Sequence, residues 1–365
     1  MFDIDFSQPT WETFIAIHVY FIILIVIYWK RYTSEYGDST QSKWFEWLFL
    51  LYCIFAFDGG DFYNYYLLIR EDSLEHMEPI YHIIVHAVNN NYILFRLIVW
   101  GGALFFFKKA IKRFNLDYNR SLFFLFAVFI SVFDYARASL AMSIFFYGLS
   151  LVLLPGSNKL RSFILGLLFM ISSVFFHNSM IIALAASLLL LVPVNGFTVV
   201  LIIILFYITS SVFAPALRNL VDAELFTASL NEKIEGYSFQ EYQDSFSLYE
   251  WIRRYMQYAT FFIPYFIVAI KMYFKNIEVP AYIRRLSAII LGFLLVSISV
   301  LLIPNLTFVL FYRILFMSMI PILIVFCYFE QNGLISNKTY KFILLLGIAS
   351  FLFGFVKRVV GGNLA

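Results

Sequence analysis

The sequence predicts an all-α protein, a polytopic bundle of helices in a membrane. Of its 365 residues, 62% are hydrophobic and only 13% are charged, whereas about a quarter of the residues are charged in an ordinary soluble domain. The apolar residues occur in long runs, as helices that cross a membrane require. Tryptophan, which is enriched at membrane interfaces, lies near the ends of these runs at Trp11, Trp29, Trp44, Trp47, Trp100 and Trp251.

The apolar runs predict about twelve membrane spans. Two of their boundaries are breaks within longer runs, each of which would far exceed the thickness of a bilayer. Each run could form one tilted helix or two short ones, and the charge of the loops favours two. We place one turn at His177-Asn178-Ser179 and the other at Pro304-Asn305, where proline disfavours continuing the helix. The predicted spans cover residues 12–29, 44–57, 91–107, 120–134, 137–154, 161–177, 179–193, 197–214, 254–271, 286–303, 308–329 and 340–356.

The distribution of charge between the spans predicts their orientation. With a turn at His177, the basic segments all fall on one side: 30–43, 108–120, 159–161, 271–285 and 338–341. Cytoplasmic loops are enriched in Lys and Arg, so we expect this side to face the cytoplasm. The chain is then a single transmembrane domain, 1–365, with an acidic, His-rich outer segment at 58–90 and a large outer loop at 215–253.

The outer segment 58–90 is rich in ionisable side chains for a chain this apolar. Asp58 and Asp61 lie near its start, and Glu78, His82 and His86 follow at four-residue spacing. A helix through EPIYHIIVH would place these three on one face, so a metal site and a solvated face are both open. The sequence has no zinc-ligand spacing, Gly-rich phosphate loop or nucleophile elbow. We therefore predict a polar working face here, with no metal and no cofactor.

Arginines recur near the predicted outer ends of spans, at Arg96, Arg137, Arg253, Arg254 and Arg313. A guanidinium binds phosphate through two parallel hydrogen bonds. If these arginines converge, they would form a cationic site suited to a lipid-linked diphosphate. Two alternatives stay open: an Asp134–Arg137 pair that only fastens a turn, and separate arginines that reach the lipid headgroups. His177, at a predicted outer turn, is likewise open between capping a helix and serving the site.

Five short motifs follow one another between residues 55 and 325. They are GGDFYNYY, MEPIYHII, YARASLAMSIFF, FFHNSMIIAL and FYRILFMSMIP, and their order is more specific than any one of them. In this order and context the chain resembles the EpsG family of bacterial polysaccharide polymerases, the Wzy-type enzymes of O-antigen, capsule and exopolysaccharide assembly. An Arg-x10-Gly pattern described for such enzymes fits Arg137 and Gly148.

The resemblance implies a membrane glycosyltransferase with a helical fold similar to that of the GT-C sugar transferases. Such an enzyme transfers a growing glycan from undecaprenyl diphosphate to the next lipid-linked repeat unit at the periplasmic face of the bacterial inner membrane. Arg137, Arg254 and Arg313, with Arg253 and Arg96, would then bind the diphosphate. Asp61, Glu78 and His177 are the candidates for activating the acceptor hydroxyl, with Asp58, Asp134 and His82 nearby in sequence.

The resemblance also implies partners. These are the lipid-linked oligosaccharide itself, membrane lipids and, as candidates, a chain-length co-polymerase and a flippase; no nucleic acid is expected. Two other functions stay open at this point. An O-antigen ligase shares the span count, large outer loop and chemistry but uses a different acceptor. A lipid-linked oligosaccharide flippase would be expected to show internal repeat symmetry, and we find no convincing repeat in the sequence.

Overall fold

The described part of the chain is helical and contains no strand, in agreement with the predicted all-α class. The computed structural model describes residues 10–34, 43–56, 60–74, 77–133, 136–191, 204, 248–275, 277–302 and 308–361. Nearly all of the predicted outer loop 215–253 and the predicted break at Pro304-Asn305 lie outside these residues.

Nine α-helices cover the described residues up to Leu191. They are α1 Trp11–Thr33, α2 Lys43–Phe55, α3 Gly60–Arg70, α4 Pro79–Ala87, α5 Tyr92–Arg113, α6 Tyr118–Phe133, α7 Ala136–Leu153, α8 Lys159–Phe176 and α9 Met180–Ser187, the last continuing as a 3-10 turn, Leu188–Leu191. Later in the chain lie α10 Leu248–Ala269, which runs on into a π turn at Ile270–Phe274, then α11 Ala281–Leu302, α12 Phe308–Met317, α13 Met319–Gln331 and α14 Asn337–Gly361.

Short polar side chains begin several of these helices. Thr10, Asn91 and Asn158 precede α1, α5 and α8, and each side-chain oxygen accepts a hydrogen bond from the backbone N–H three residues later, at 2.9 to 3.2 Å. These bonds satisfy N–H groups that have no partner within the helix. Pro79 is the first residue of α4, a position where its fixed backbone angle and missing N–H cost nothing.

The predicted turn at His177 is confirmed, because α8 ends at Phe176 and α9 begins at Met180. His177 has extended backbone angles, φ −162° and ψ 115°. Its N–H donates to the carbonyl of Ser173, and its carbonyl accepts from the N–H of Met180. The break in the helix therefore falls at the polar residues that interrupt the apolar run.

Several helices are long and apolar enough to cross a membrane. Within the described residues these are α1, α7, α8, α11 and α14, and the bent pair α12 and α13 would be a sixth if it forms one span with a 40° bend. The chain is thus a helical membrane protein, as the composition predicts. The full number of twelve spans, and the GT-C-like arrangement, stay predictions.

The chain divides into two compact units, Met1–Met180 with Cys327–Ala365, and Ile181–Phe326. In the first unit α6 is central: its side chains from Ser121 to Ile130 are all buried, and α1, α2, α5 and α14 pack around it. A helix that is apolar on every side is expected to be buried in this way. In the second unit, α11 packs against α12 and against the 3-10 turn.

A close crossing of α7 and α8 sets the position of the candidate site. At Gly148 the two backbones approach so closely that a Cβ atom would lie 2.6 Å from the carbonyl oxygen of Gly166. Arg137 lies eleven residues before Gly148 and His177 eleven residues after Gly166. Since α7 and α8 are antiparallel neighbours, each of these residues is about 16 Å from the crossing along its helix, in the same direction.

Candidate functional site

Glu78 joins two residues that are distant in the sequence. Arg137 Nη1 donates to Glu78 Oε2 at 2.6 Å, and His177 Nδ1 lies 3.1 Å from Glu78 Oε1. Glu78 is the residue before α4, Arg137 is in the first turn of α7, and His177 follows the last residue of α8. Both oxygens of one carboxylate are therefore engaged, each by a different segment of the chain.

Two tyrosines hold the guanidinium of Arg137 in place. Arg137 Nε and Nη2 both donate to the Tyr65 hydroxyl, at 2.9 and 2.5 Å. The guanidinium carbon lies 4.7 Å from the ring centre of Tyr65 and 5.9 Å from that of Tyr81, within the range of cation–π attraction. Tyr81 also donates from its hydroxyl to the carbonyl of Arg137 at 3.3 Å. We call Tyr65, Glu78, Tyr81, Arg137 and His177 the Glu78 cluster.

The Glu78 cluster is mostly buried but not sealed. The side chain of Glu78 is 7% exposed, whereas those of Arg137 and His177 are 15% and 19% exposed. A carboxylate and a guanidinium with so little exposure are stable only as a hydrogen-bonded pair. The remaining exposure of Arg137 and His177 leaves both able to meet a ligand.

The environment of Glu78 favours its ionised form. Burial alone would raise its pKa, but the hydrogen bond with His177 and the positive charge of Arg137 outweigh that effect and hold the pKa of Glu78 below its ordinary value of 4.5. At neutral pH the carboxylate can then only accept hydrogen bonds, so His177 Nδ1 must be the donor. In the neutral imidazole this leaves the lone pair on Nε2, as an acceptor or base.

The structure brings together three of the predicted site residues, namely Glu78, Arg137 and His177. Tyr65 and Tyr81 were not predicted as site residues, although both lie within quoted motifs, GGDFYNYY and MEPIYHII. The only feature of the sequence that could have identified these two tyrosines is the aromatic content of those motifs. Nothing in the sequence indicated that Arg137 was their partner.

The open alternative of a metal site at Glu78, His82 and His86 gains no support. Glu78 lies outside α4, with extended backbone angles, and its carboxylate is held by Arg137 and His177. His82 Nε2 contacts the carbonyl of Met77 at 3.3 Å, and His86 Nδ1 lies 4.0 Å from Asp72. The described residues contain no group of His, Cys, Asp or Glu that could hold a metal.

The other predicted arginines occupy several environments. Arg96 is buried in α5, where its guanidinium donates to the Tyr92 hydroxyl and to the carbonyl of Cys53. Arg253 and Arg254 are half-buried in α10, and Arg313 is exposed on α12; all three belong to the second unit. Their convergence with Arg137 stays a prediction.

The structure does not describe the side chains of the predicted acidic residues other than Glu78. Asp58 and Asp134 lie outside the described residues, and Asp61 lies in α3 with a side chain outside the description. The Asp134–Arg137 pair that the sequence left open therefore stays a prediction, beside the observed pairing of Arg137 with Glu78.

A membrane-spanning helical protein with a buried Arg–Glu–His cluster is the class that this fold and site define. The family model of the EpsG family matches residues 57–363, a range that includes the whole Glu78 cluster. The chain belongs to the EpsG family, whose members are Wzy-like polysaccharide polymerases. No curated protein and no solved structure matches the sequence.

Proposed function

We propose that this protein is a polysaccharide polymerase that transfers a growing glycan from undecaprenyl diphosphate to the next lipid-linked repeat unit. The reaction takes place at the periplasmic face of the bacterial inner membrane, and the Glu78 cluster is its site. The observation that carries the proposal is the Glu78 carboxylate, which holds a cation on one oxygen and an imidazole on the other. Glycosyl transfer from a diphosphate uses both kinds of group.

His177 is the proposed general base. As the new glycosidic bond forms, the acceptor hydroxyl oxygen attacks the anomeric carbon and its proton passes to His177 Nε2. The bond from the anomeric carbon to the diphosphate oxygen breaks, and its electron pair leaves with the diphosphate. Glu78 orients the imidazole and stabilises the imidazolium that results, as a carboxylate does in a Ser-His-Asp triad.

Of the three candidates for the base, Glu78 is better suited to a positioning role. Its pKa lies below the ordinary range, so its carboxylate is a weak base, and both its oxygens already accept hydrogen bonds. Asp61 stays a second candidate for the base. His177 is favoured because its Nδ1 contact with Glu78 leaves Nε2 as the basic nitrogen.

Arg137 is the proposed contact for the leaving diphosphate. A guanidinium has five N–H groups. Among the described residues, three N–H groups of Arg137 donate hydrogen bonds, one to Glu78 and two to Tyr65. One N–H on each terminal nitrogen is left for phosphate oxygens. The donors are held rigidly before the reaction, so they stabilise the developing charge without reorganisation. Arg96, Arg253, Arg254 and Arg313 are proposed as further diphosphate contacts.

The test uses the purified full-length protein in detergent with a synthetic lipid-diphosphate repeat unit as both donor and acceptor. A polymerase should convert it into a ladder of products on a gel, with and without EDTA. An O-antigen ligase would require a lipid A core acceptor, and a flippase would form no new glycosidic bond. Folded protein that yields no ladder from the repeat unit alone would overturn the proposal.

A further inference from the structure

A cavity of about 750 Å³ lies between α2, the second half of α5 and the start of α6. Its apolar wall consists of Trp47 and Leu50 on α2 and of Gly101, Leu104 and Phe105 on α5. Gly101 keeps this wall open, because a Cβ atom added there would meet nothing within 4 Å. The cavity is therefore a groove between two packed helices, with space for a hydrocarbon chain.

This groove lies far from the Glu78 cluster along α5. The start of α5 is next to the cluster, since the Phe95 ring lies 5.9 Å from that of Tyr81. The end of α5 is next to the end of α7, since Arg113 donates to the carbonyl of Leu154. From Phe95 to Lys112 the helix rises about 26 Å, close to the roughly 30 Å thickness of a bilayer core.

The polar rim of the groove carries two lysines, Lys108 and Lys112, and two carboxylates, Glu46 and Asp117. Lys108 Nζ lies 2.5 Å from Glu46 Oε2 and 4.8 Å from the ring centre of Tyr118, so its charge is balanced. Asp117 accepts a hydrogen bond from the N–H of Arg120, at the start of α6. Lys112, one turn after Lys108, is exposed and makes no ion pair with the residues that the structure describes.

Two exposed tryptophans lie at the start of α2, beside the groove. Trp47, on the groove wall, is 60% exposed, and Trp44, one turn earlier, is 74% exposed. Tryptophan side chains on the outer surface of a membrane protein favour the depth of the lipid headgroups. Lys112 therefore lies where a headgroup phosphate would be, and the apolar wall lies where an acyl chain would be.

We propose that this groove binds one anionic phospholipid of the surrounding membrane. An acyl chain lies along Leu50, Leu104 and Phe105 in the space that Gly101 leaves, and Lys112 binds the phosphate. In basic pockets between membrane helices, cationic side chains bind lipid headgroups, which is the role proposed here for Lys112. The inference does not depend on the polymerase reaction, because it rests on residues outside the Glu78 cluster.

Native mass spectrometry of the full-length protein in detergent tests the proposal, with dioleoyl phosphatidylglycerol and dioleoyl phosphatidylcholine as probes. We expect phosphatidylglycerol to be retained more strongly, and Lys112→Gln to weaken its binding about fivefold, the effect of one lysine at a membrane surface. Lys159→Gln is the matched control, because Lys159 is an exposed lysine at the start of α8 and does not line the groove. It should leave the binding unchanged.

A second variant, Gly101→Leu, tests the apolar part of the groove. It should fill the space between α2 and α5 and reduce the binding of phosphatidylglycerol, with the melting temperature showing that the variant is folded. If Gly101→Leu does not fold, soluble glycerol phosphate is used instead as a competitor with the wild-type protein. It has no acyl chain to occupy the apolar wall, so it should not displace the lipid. Equal retention of the two lipids, equal loss from Lys159→Gln and Lys112→Gln, or displacement by glycerol phosphate would overturn the proposal.

Discussion

Glu78 and Arg137 form an ion pair of 2.6 Å although 59 residues separate them in the sequence. The pair does more than link the start of α4 to α7, because the second oxygen of the same carboxylate contacts His177. A change at Glu78 should therefore affect both the position of a cation and the tautomer of an imidazole.

Replacing Glu78 with glutamine should reduce both stability and activity. Gln has nearly the same shape, but its amide presents one acceptor and one donor group to two donors. It also removes the counter-charge that Arg137 has among the described residues. Removing one partner of a buried ion pair costs about 3 kcal/mol. We expect a lower melting temperature and little or no polymer ladder. Glu71→Gln, at an exposed position, is the matched control and should change neither.

The destabilisation caused by Glu78→Gln should depend on pH. The pKa of Glu78 is below 4.5 in the folded protein, so the unfolded chain binds its proton first as the pH falls. The stabilisation from the ionised carboxylate is complete above about pH 4.5 and is lost as the pH falls through the folded pKa. The difference in melting temperature between wild type and Glu78→Gln should shrink in this acid range. A difference that stays constant down to pH 3 would contradict the prediction.

Removing the hydroxyl of Tyr65 should lower activity more than stability. Tyr65→Phe keeps the ring beside Arg137 but loses both N–H···O bonds, each to a charged donor. Hydrogen bonds to charged groups contribute about 1.5–3 kcal/mol, so a misplaced guanidinium should slow polymerisation by about tenfold or more. Tyr66→Phe is the matched control: it loses the hydrogen bond from Arg70 to the Tyr66 hydroxyl, which lies outside the Glu78 cluster, and it should retain the wild-type rate.

Separating α7 from α8 should disrupt the Glu78 cluster from a distance. A Cβ at Gly148 would lie within 3 Å of backbone atoms of Gly166 and Met170, so Gly148→Ala must move one helix. Overpacking of this kind costs about 1–3 kcal/mol. It should also lower the rate, because moving α7 relative to α8 separates Arg137, in the first turn of α7, from His177, which follows α8. Gly101→Ala, which meets open space, should have neither effect.

The fold class and the turn at His177 could be predicted because both follow from the distribution of apolar and charged residues along the chain. The apolar run interrupted by His177-Asn178-Ser179 is too long for one straight span, and the basic loops fall on one side of the membrane only if it breaks there. Helical periodicity failed at Glu78, where it placed the carboxylate on one face with His82 and His86. Pro79 starts α4 one residue later, so Glu78 is free to turn toward α7 and α8.

The partners of Arg137 could not be predicted, because they come from three separate stretches of the sequence. Tyr65, Glu78 and His177 lie 72, 59 and 40 residues from it, and no periodicity links side chains across such separations. The motif order indicated that these stretches belong to one family. It gave no distances, and therefore did not show that one carboxylate connects the cation to the imidazole.

The most direct test of this account is the polymer ladder made by Arg137→Ala, beside wild type and His86→Ala. His86 is an exposed residue of α4 outside the Glu78 cluster, so His86→Ala controls for the loss of a charged or polar side chain near the site. We expect a full ladder from wild type and from His86→Ala, and none from Arg137→Ala that is shown to be folded. Full-length polymer from folded Arg137→Ala would contradict it.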